Sequence, residues 1–139
     1  MTIAQFDLKV ETPGRGLLEI TQEIATWVSK QAISTGLLTI FCRHTSASLI
    51  IQENADPDVR HDLEQFFNRL VKEDPSLYRH TSEGSDDMPA HIRGSLTGNS
   101  LSIPVQGGEL FLGRWQGVYI FEHRRKPHRR QLVLHLGGQ

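Results

Sequence analysis

Cysteine is nearly missing from this chain: Cys42 stands alone, so neither an intramolecular disulfide nor a cysteine-built zinc cluster can form within it. Long apolar runs are missing too, and none approaches the roughly 18–20 residues that a membrane-crossing helix needs. The opening MTIAQFDLKVE carries acids where a secretory signal needs a basic start and an apolar stretch, so a cytoplasmic setting is expected. No sign of charge predominates. Fifteen Lys and Arg face 16 Asp and Glu, for a formal net charge of -1. Domains that hold nucleic acid by bulk electrostatics are strongly basic, so a nucleic-acid partner is not expected, and neither is a membrane. The chain shows no internal repeat, linker or low-complexity segment, and 139 residues suit one domain.

What is present is a mixture of two periodicities. Ile3–Val10 alternates apolar and polar residues, as a half-buried strand does. A turn at Pro13-Gly14-Arg15-Gly16 precedes Leu18–Ala32, where Ile20, Ile24, Trp27 and Val28 recur at helical spacing. Leu37–Cys42 is a short apolar run typical of a strand covered on both faces, and Leu49–Ile51 reads as a second central strand. Asp56-Pro57-Asp58 opens a helix by capping, fixed backbone angle and favourable charge, with Val59, Leu63, Phe66, Phe67 and Leu70 along one face. A polar stretch at 73–87 leads to a second helix at Asp87-Met88-Pro89, with Ile92 and Leu96 inward. Strands at 101–105, 110–112, 118–122 and 131–136 complete the set. The fold class expected is α+β, one domain, with a mixed or mostly antiparallel sheet and helices packed on one side.

Four polar segments could carry chemistry. His44-Thr45-Ser46 lies between two central strands, either as a site held by a rigid scaffold or as a sharp turn whose hydroxyls bond the backbone. Glu53 ends an apolar strand with no capping role to explain it, and suits a base, a metal ligand or a partner for histidine. The loop from Tyr78 to Asp87 holds His80, Glu83, Asp86 and Asp87, with His91 just beyond. Imidazole and carboxylate suit zinc, manganese or similar ions, although the spacing matches no zinc-protease pair and a hydrated loop reads equally well. Arg114-Trp115-Gln116 could stack on a planar ring and hydrogen-bond its edge, or serve as an interfacial Trp beside a glycine bend. The basic run from His123 to Arg130 reads as a solvated hairpin loop, with an anion-binding role open for one or two of its arginines.

Three blocks, HTSASLIIQENADPDVRHDLE at 44–64, YRHTSEGSDDMPAHI at 78–92 and LSIPVQGGELFLGRWQGVYIFEHR at 101–124, give the chain a close resemblance to the YjbQ-like family, often described as secondary thiamine-phosphate synthases. The likeness runs from about Phe6 to Leu136. It departs at Arg114, where the family usually has Thr, at Ser46, often Thr, and in the HRRKPHRR loop. The resemblance implies a homotrimeric α+β subunit and a divalent metal held by His44, His80 and His91. It also implies that a hydroxymethylpyrimidine diphosphate is joined to a thiazole phosphate with release of pyrophosphate. For such a small phosphorylated substrate, Glu53, Glu83, Asp86 and Asp87 could hold Mg2+ through oxygen, Arg114 or Arg129 could steady a phosphate, and Trp115 could stack on the pyrimidine. Two other readings stand beside it. One is metal-dependent hydrolysis with His-bound Zn2+ and Glu53 as base; the other is a non-catalytic trimer that binds small anions. In every metal-using reading, His80 and His91 should share one cleft with His44 or Glu53.

Overall fold

In the computed structural model, which describes residues 1–139, the first and last strands pair along their whole length. Strand β1 (Thr2–Thr12) runs antiparallel to β8 (His128–Gly138), with Thr2 opposite Gly138 and Thr12 opposite His128. On its other side β8 pairs with β3 (Thr35–Cys42), which pairs in turn with β5 (Ser100–Gln106). The short β6 (Glu109–Leu110) ends this five-stranded sheet after a turn in which Gly107 and Gly108 both take positive φ, 61° and 76°. A second sheet has the order β2 (Gly16–Glu19), β7 (Gln116–Glu122), β4 (Ala47–Glu53). Every pairing is antiparallel. The α+β class and the antiparallel pairing are therefore as expected, with the strands shared between two sheets.

Side-chain alternation explains why two sheets form. Leu38 and Ile40 of β3 face the same way as Leu132, Leu134 and Leu136 of β8 and Ile103 and Val105 of β5. They bury against Leu49 of β4 and Val118 and Ile120 of β7, and Ile24 and Val28 of helix α1 (Thr21–Ser29) join the same core. The intervening residues of β7, Tyr119 and Phe121, point to the opposite face. There they meet Leu63 and Phe67 of helix α2 (Pro57–Leu70), with the Phe67 and Phe121 rings edge to face at 5.3 Å. Helix α2 starts as its sequence requires: Asp56 accepts a hydrogen bond from the Asp58 N–H at 2.9 Å and Pro57 takes the first turn. One turn of 3-10 helix (Pro75–Leu77) then leads to α3 (Asp87–Leu96), which packs beside β4. No helix is long and apolar enough to cross a membrane.

Several local expectations needed correction. Helix α1 begins at Thr21, because Leu17 and Leu18 belong to β2 opposite Phe121 and Ile120. The Val118 N–H then donates to Thr21 Oγ1 at 2.8 Å and the Ile20 N–H to the Val118 carbonyl at 2.8 Å, so backbone groups just before the helix are already used by β7. Strand β3 is covered on one face only, leaving Leu37 50% and Phe41 44% exposed, because nothing packs on the outer face of the larger sheet. In α2, Phe66 and Leu70 also remain exposed. The inward residues of α3 are Asp87, Pro89, Ala90 and Arg93, while Leu96 is 56% exposed. This helix is oriented by charge.

Leu134 is wholly buried at the centre of the main core. Leu134→Ala should lower unfolding stability by about 2–5 kcal/mol, read from the urea midpoint at unchanged slope.

Candidate functional site

Four consecutive residues at the end of β7 organise one end of the molecule. Glu122 is fully buried, accepting from Arg130 Nε at 2.7 Å and from the Thr12 hydroxyl at 2.6 Å. Burial alone would raise its pKa, but these hydrogen bonds and the Arg130 charge outweigh that and hold it below the usual carboxylate range. His123 is fully buried as well, with Nε2 2.9 Å from Ser48 Oγ. Burial, with Arg93 nearby, pushes its pKa down to about 3, so the imidazole is neutral. Arg124 reaches across to the start of α3, where Nε donates to Asp86 Oδ2 at 3.1 Å and Nη1 to Asp87 Oδ1 at 2.8 Å. The Arg125 backbone N–H also donates to Asp86 Oδ2, at 2.9 Å. Burial opposes ionisation of Asp86, yet these donors bring its pKa to about 2.

Asp87 is thereby held by one oxygen and left with the other for histidine. Its Oδ2 lies 2.6 Å from His80 Nε2 and 3.3 Å from His91 Nε2. His91 sits four residues after Asp87 on α3, hence on the same helical face, while His80 arrives from the preceding loop with its ring edge-on to His91 at 5.4 Å. Burial works against the Asp87 charge, but the His80 hydrogen bond and Arg124 keep its pKa low. Two imidazole nitrogens and one carboxylate oxygen, all within 4.8 Å of one another, could hold a single divalent ion. The donor chemistry fits zinc or a similar transition metal better than Mg2+, which takes oxygen ligands. The fixed Arg124–Asp87 pair supplies the outer support that oriented metal ligands commonly have.

His91 also lines a cleft of about 290 Å³ together with His44, Thr45, Gly94, Ser95 and Asn99. His44 Nε2 accepts the Gln131 backbone N–H at 2.8 Å, and burial followed by the Arg130 charge lowers its pKa. The ring is thus neutral with its proton on Nδ1. His44 accordingly offers a hydrogen bond beside the cluster, with Nε2 taken by the Gln131 N–H, and lies outside the group formed by His80, Asp87 and His91.

The other expected residues divide into two groups. Asp86 is committed to Arg124 and Arg125, and exposed Glu83 meets Arg124 only through its backbone carbonyl, so neither joins the ligand set. The Ser46 carbonyl and hydroxyl accept from Arg130 Nη2 at 3.2 and 3.0 Å, a structural role behind the cleft. Glu53 and Gln116 face each other across β4 and β7, six positions along from the Ala47–Glu122 pair. At about 3.4 Å per residue, that separates them from the histidine end by roughly 20 Å. Trp115 and Arg114 lie there too, exposed and stacked on each other at 4.7 Å. Arg129 makes an exposed contact with Glu11 at 3.4 Å. Within one subunit, then, Glu53, Arg114, Trp115, Gln116 and Arg129 do not join the histidines, since strand direction carries them to other surfaces. Sequence reasoning missed Arg124, Arg130 and His123, all inside a basic run that looks like a solvated loop. Their one signal is Glu122, an acid closing the apolar strand Val118–Phe121 that implies a buried cation nearby.

Across residues 6–139 the chain matches the family model described as UPF0047 protein YjbQ-like, and it belongs to that family. It is 53% identical over 132 residues to the UPF0047 protein sll1880 of Synechocystis sp., covering 95% of this chain and 90% of that one. Against the UPF0047 protein YjbQ of Escherichia coli O157:H7 the identity is 42% over 136 residues, covering 97% and 98%. Among solved structures, a conserved hypothetical protein of Thermus thermophilus superposes with a TM-score of 0.81 at 36% identity, covering 92% of this chain and 97% of that one. A YbjQ-like protein of unknown function from Sulfolobus solfataricus P2 shares the fold, with a TM-score of 0.86 at 19% identity over 99% and 100% of the two chains. These relatives overturn the expectation of thiamine-phosphate synthase activity. They match nearly the whole chain, yet their names are those of uncharacterised UPF0047 proteins and bring no such activity with them.

The neutral, buried His123 makes stability depend on pH. In the unfolded chain this imidazole gains a proton near pH 6.5, and in the folded chain only near 3. Between these values the unfolded state binds more protons, so the stabilisation present above pH 6.5 is lost as pH falls towards 3. Urea midpoints between about pH 7.5 and 4.5 should fall for the native sequence and fall less steeply for His123→Asn.

Proposed function

We propose that the chain binds one divalent transition-metal ion through His80 Nε2, Asp87 Oδ2 and His91 Nε2, and that the ion serves a small, oxygen-rich ligand in the adjoining cleft. The observation that carries this reading is the convergence of one ligand atom from each residue within 4.8 Å, Asp87 Oδ2 lying 2.6 and 3.3 Å from the two Nε2 atoms, with Asp87 held in place by Arg124. Two histidines and one carboxylate leave coordination positions open, and a metal so held supplies Lewis acidity and a more acidic bound water. Around it the chain contributes binding and orientation. His44 offers Nδ1–H, and Thr45, Ser95 and Asn99 offer hydroxyl and amide groups along the same wall. A small phosphorylated molecule, rich in acceptor oxygens, suits these donors.

Metal content supplies the test. Dialysis against Zn2+ should load one ion per chain, and His80→Gln or His91→Ala should weaken retention by more than the roughly 10–100-fold that even outer-shell changes cost. Retention equal to that of the native sequence in both variants would end the proposal.

We further propose that the chain assembles as a homotrimer. Support comes from the uncovered outer face of the five-stranded sheet, where Ile3 is 62%, Leu37 50% and Phe41 44% exposed. Sedimentation equilibrium should give three times the 15.7 kDa chain mass, and a 15.7 kDa species at micromolar concentration would refute the assembly.

A further inference from the structure

A second polar cavity lies away from the cleft, between β2, α2 and α3. It has a volume of about 90 Å³ and is lined by Arg15, Glu64, Phe67, Asn68, Arg93 and Phe121 among others. At roughly 30 Å³ per water, that is room for about three waters, the scale of one tetrahedral oxyanion. Arg93 is only 1% exposed. Its Nη2 donates to the Val71 carbonyl at 3.0 Å, but neither Nε nor Nη1 has a hydrogen-bonding partner. The nearest carboxylate to Nη1 is Glu73, at 3.9 Å, beyond hydrogen-bond reach. Arg15 reaches Glu73 through Nη2, and its Nη1 lies 3.4 Å from Asn68 Oδ1, while its buried Nε is likewise unpartnered.

Several arginines crowd one side of the cavity. Arg15, Arg93 and Arg125 all face Glu73, the last at 3.1 Å. The other carboxylate, Glu64, accepts the Leu17 N–H at 3.1 Å. Three guanidinium groups therefore crowd around Glu73 and Glu64, with Asp86 as a further carboxylate acting on Arg15 and Arg93. The effect of this crowding is visible at Arg15, whose pKa is lowered first by burial and next by Arg93 and Arg125. A buried guanidinium N–H without an acceptor is costly, so the cavity calls for a group that accepts from Arg93 Nε and Nη1.

We propose that this cavity is a binding site for a phosphate-class oxyanion, whose oxygens accept from Arg93 Nε and Nη1 and from Arg15 Nε. The planar fork of each arginine suits the oxygens of a tetrahedral oxyanion. This site does not depend on the metal reading. Asp87 and His91 lie on α3, like Arg93, but neither of the two lines the cavity.

Calorimetric titration with inorganic phosphate, at ionic strength held constant with chloride, tests it on the full chain. The native sequence should bind at one site. Arg15→Gln and Arg15→Lys, at a side chain that is 23% exposed and so tolerant of change, should each bind roughly ten- to a hundred-fold more weakly. Arg114→Gln, which removes an exposed arginine lining neither the cavity nor the cleft, should bind phosphate as the native sequence does. Glycerol phosphate binding as tightly as the free ion would identify the ligand as the phosphoryl group of a larger molecule, and its exclusion would identify inorganic phosphate itself. The proposal is overturned if phosphate does no more than chloride, if both folded Arg15 variants keep native affinity, or if Arg114→Gln weakens binding as much as the Arg15 variants do. In that last case the loss follows net charge and not a built site, and the metal reading is untouched.

Discussion

Glu122 is a carboxylate sealed between two sheets, and its charge is tolerated only because each neighbouring element sends it a donor. Arg130 comes from β8, Thr12 from β1, and the Arg124 N–H from the loop directly after β7. The group belongs to the small sheet while two of its partners belong to the large one, so the ion pair joins the sheets at one end of the core. Taking two ions out of water costs several kcal/mol each, which the hydrogen bonds must offset. Such a pair contributes less to net stability than to defining one arrangement: a carboxylate here admits no register that leaves it without Arg130.

From that anchor the next three residues lead outward in different directions. His123 turns inward to Ser48, Arg124 spans to Asp86 and Asp87, and Arg125 reaches Glu73. Arg124 sets the orientation of Asp87 and so of the histidine cluster. Arg125 and Glu73 set the charge around the arginine-lined cavity. Helix α3 is the counterpart of this segment. Its buried residues include Asp87 and Arg93, one serving each region, and its apolar Leu96 faces out. A helix packed by its charged residues has little apolar burial to hold it, so its position follows from the ion pairs at its start.

Much of this was legible in the sequence. Alternation in Ile3–Val10 and 101–105, the capping set at Asp56-Pro57-Asp58 and the glycine turn at 107–108 are local signals, and local physics decided those elements. The pairing of His80, Asp87 and His91 was partly legible, since residues 87 and 91 share a helical face and residue 80 is only seven positions away. His44 was legible as a polar residue between strands, though its tautomer was not, because that depends on the Gln131 N–H from a strand 87 residues on.

What escaped the sequence was distance between segments. Glu53, Trp115 and Gln116 carry side chains suited to a site, and spacing along the chain says nothing of which end of a sheet they reach. The β4–β7 register decides that, and it puts them at the far end from the histidines. The basic run failed for the same reason. Composition reports its charge, but only the packing of β8 against β7 shows that Arg130 is buried on Glu122 while Arg129 remains in solvent. The sequence by itself determined most of the strands, the starts of α2 and α3 and the family, because those rest on periodicity and short-range hydrogen bonding. Tertiary structure alone decided which charges meet, because an ion pair depends on separation in space, and that is set by strand register and helix packing across the whole chain.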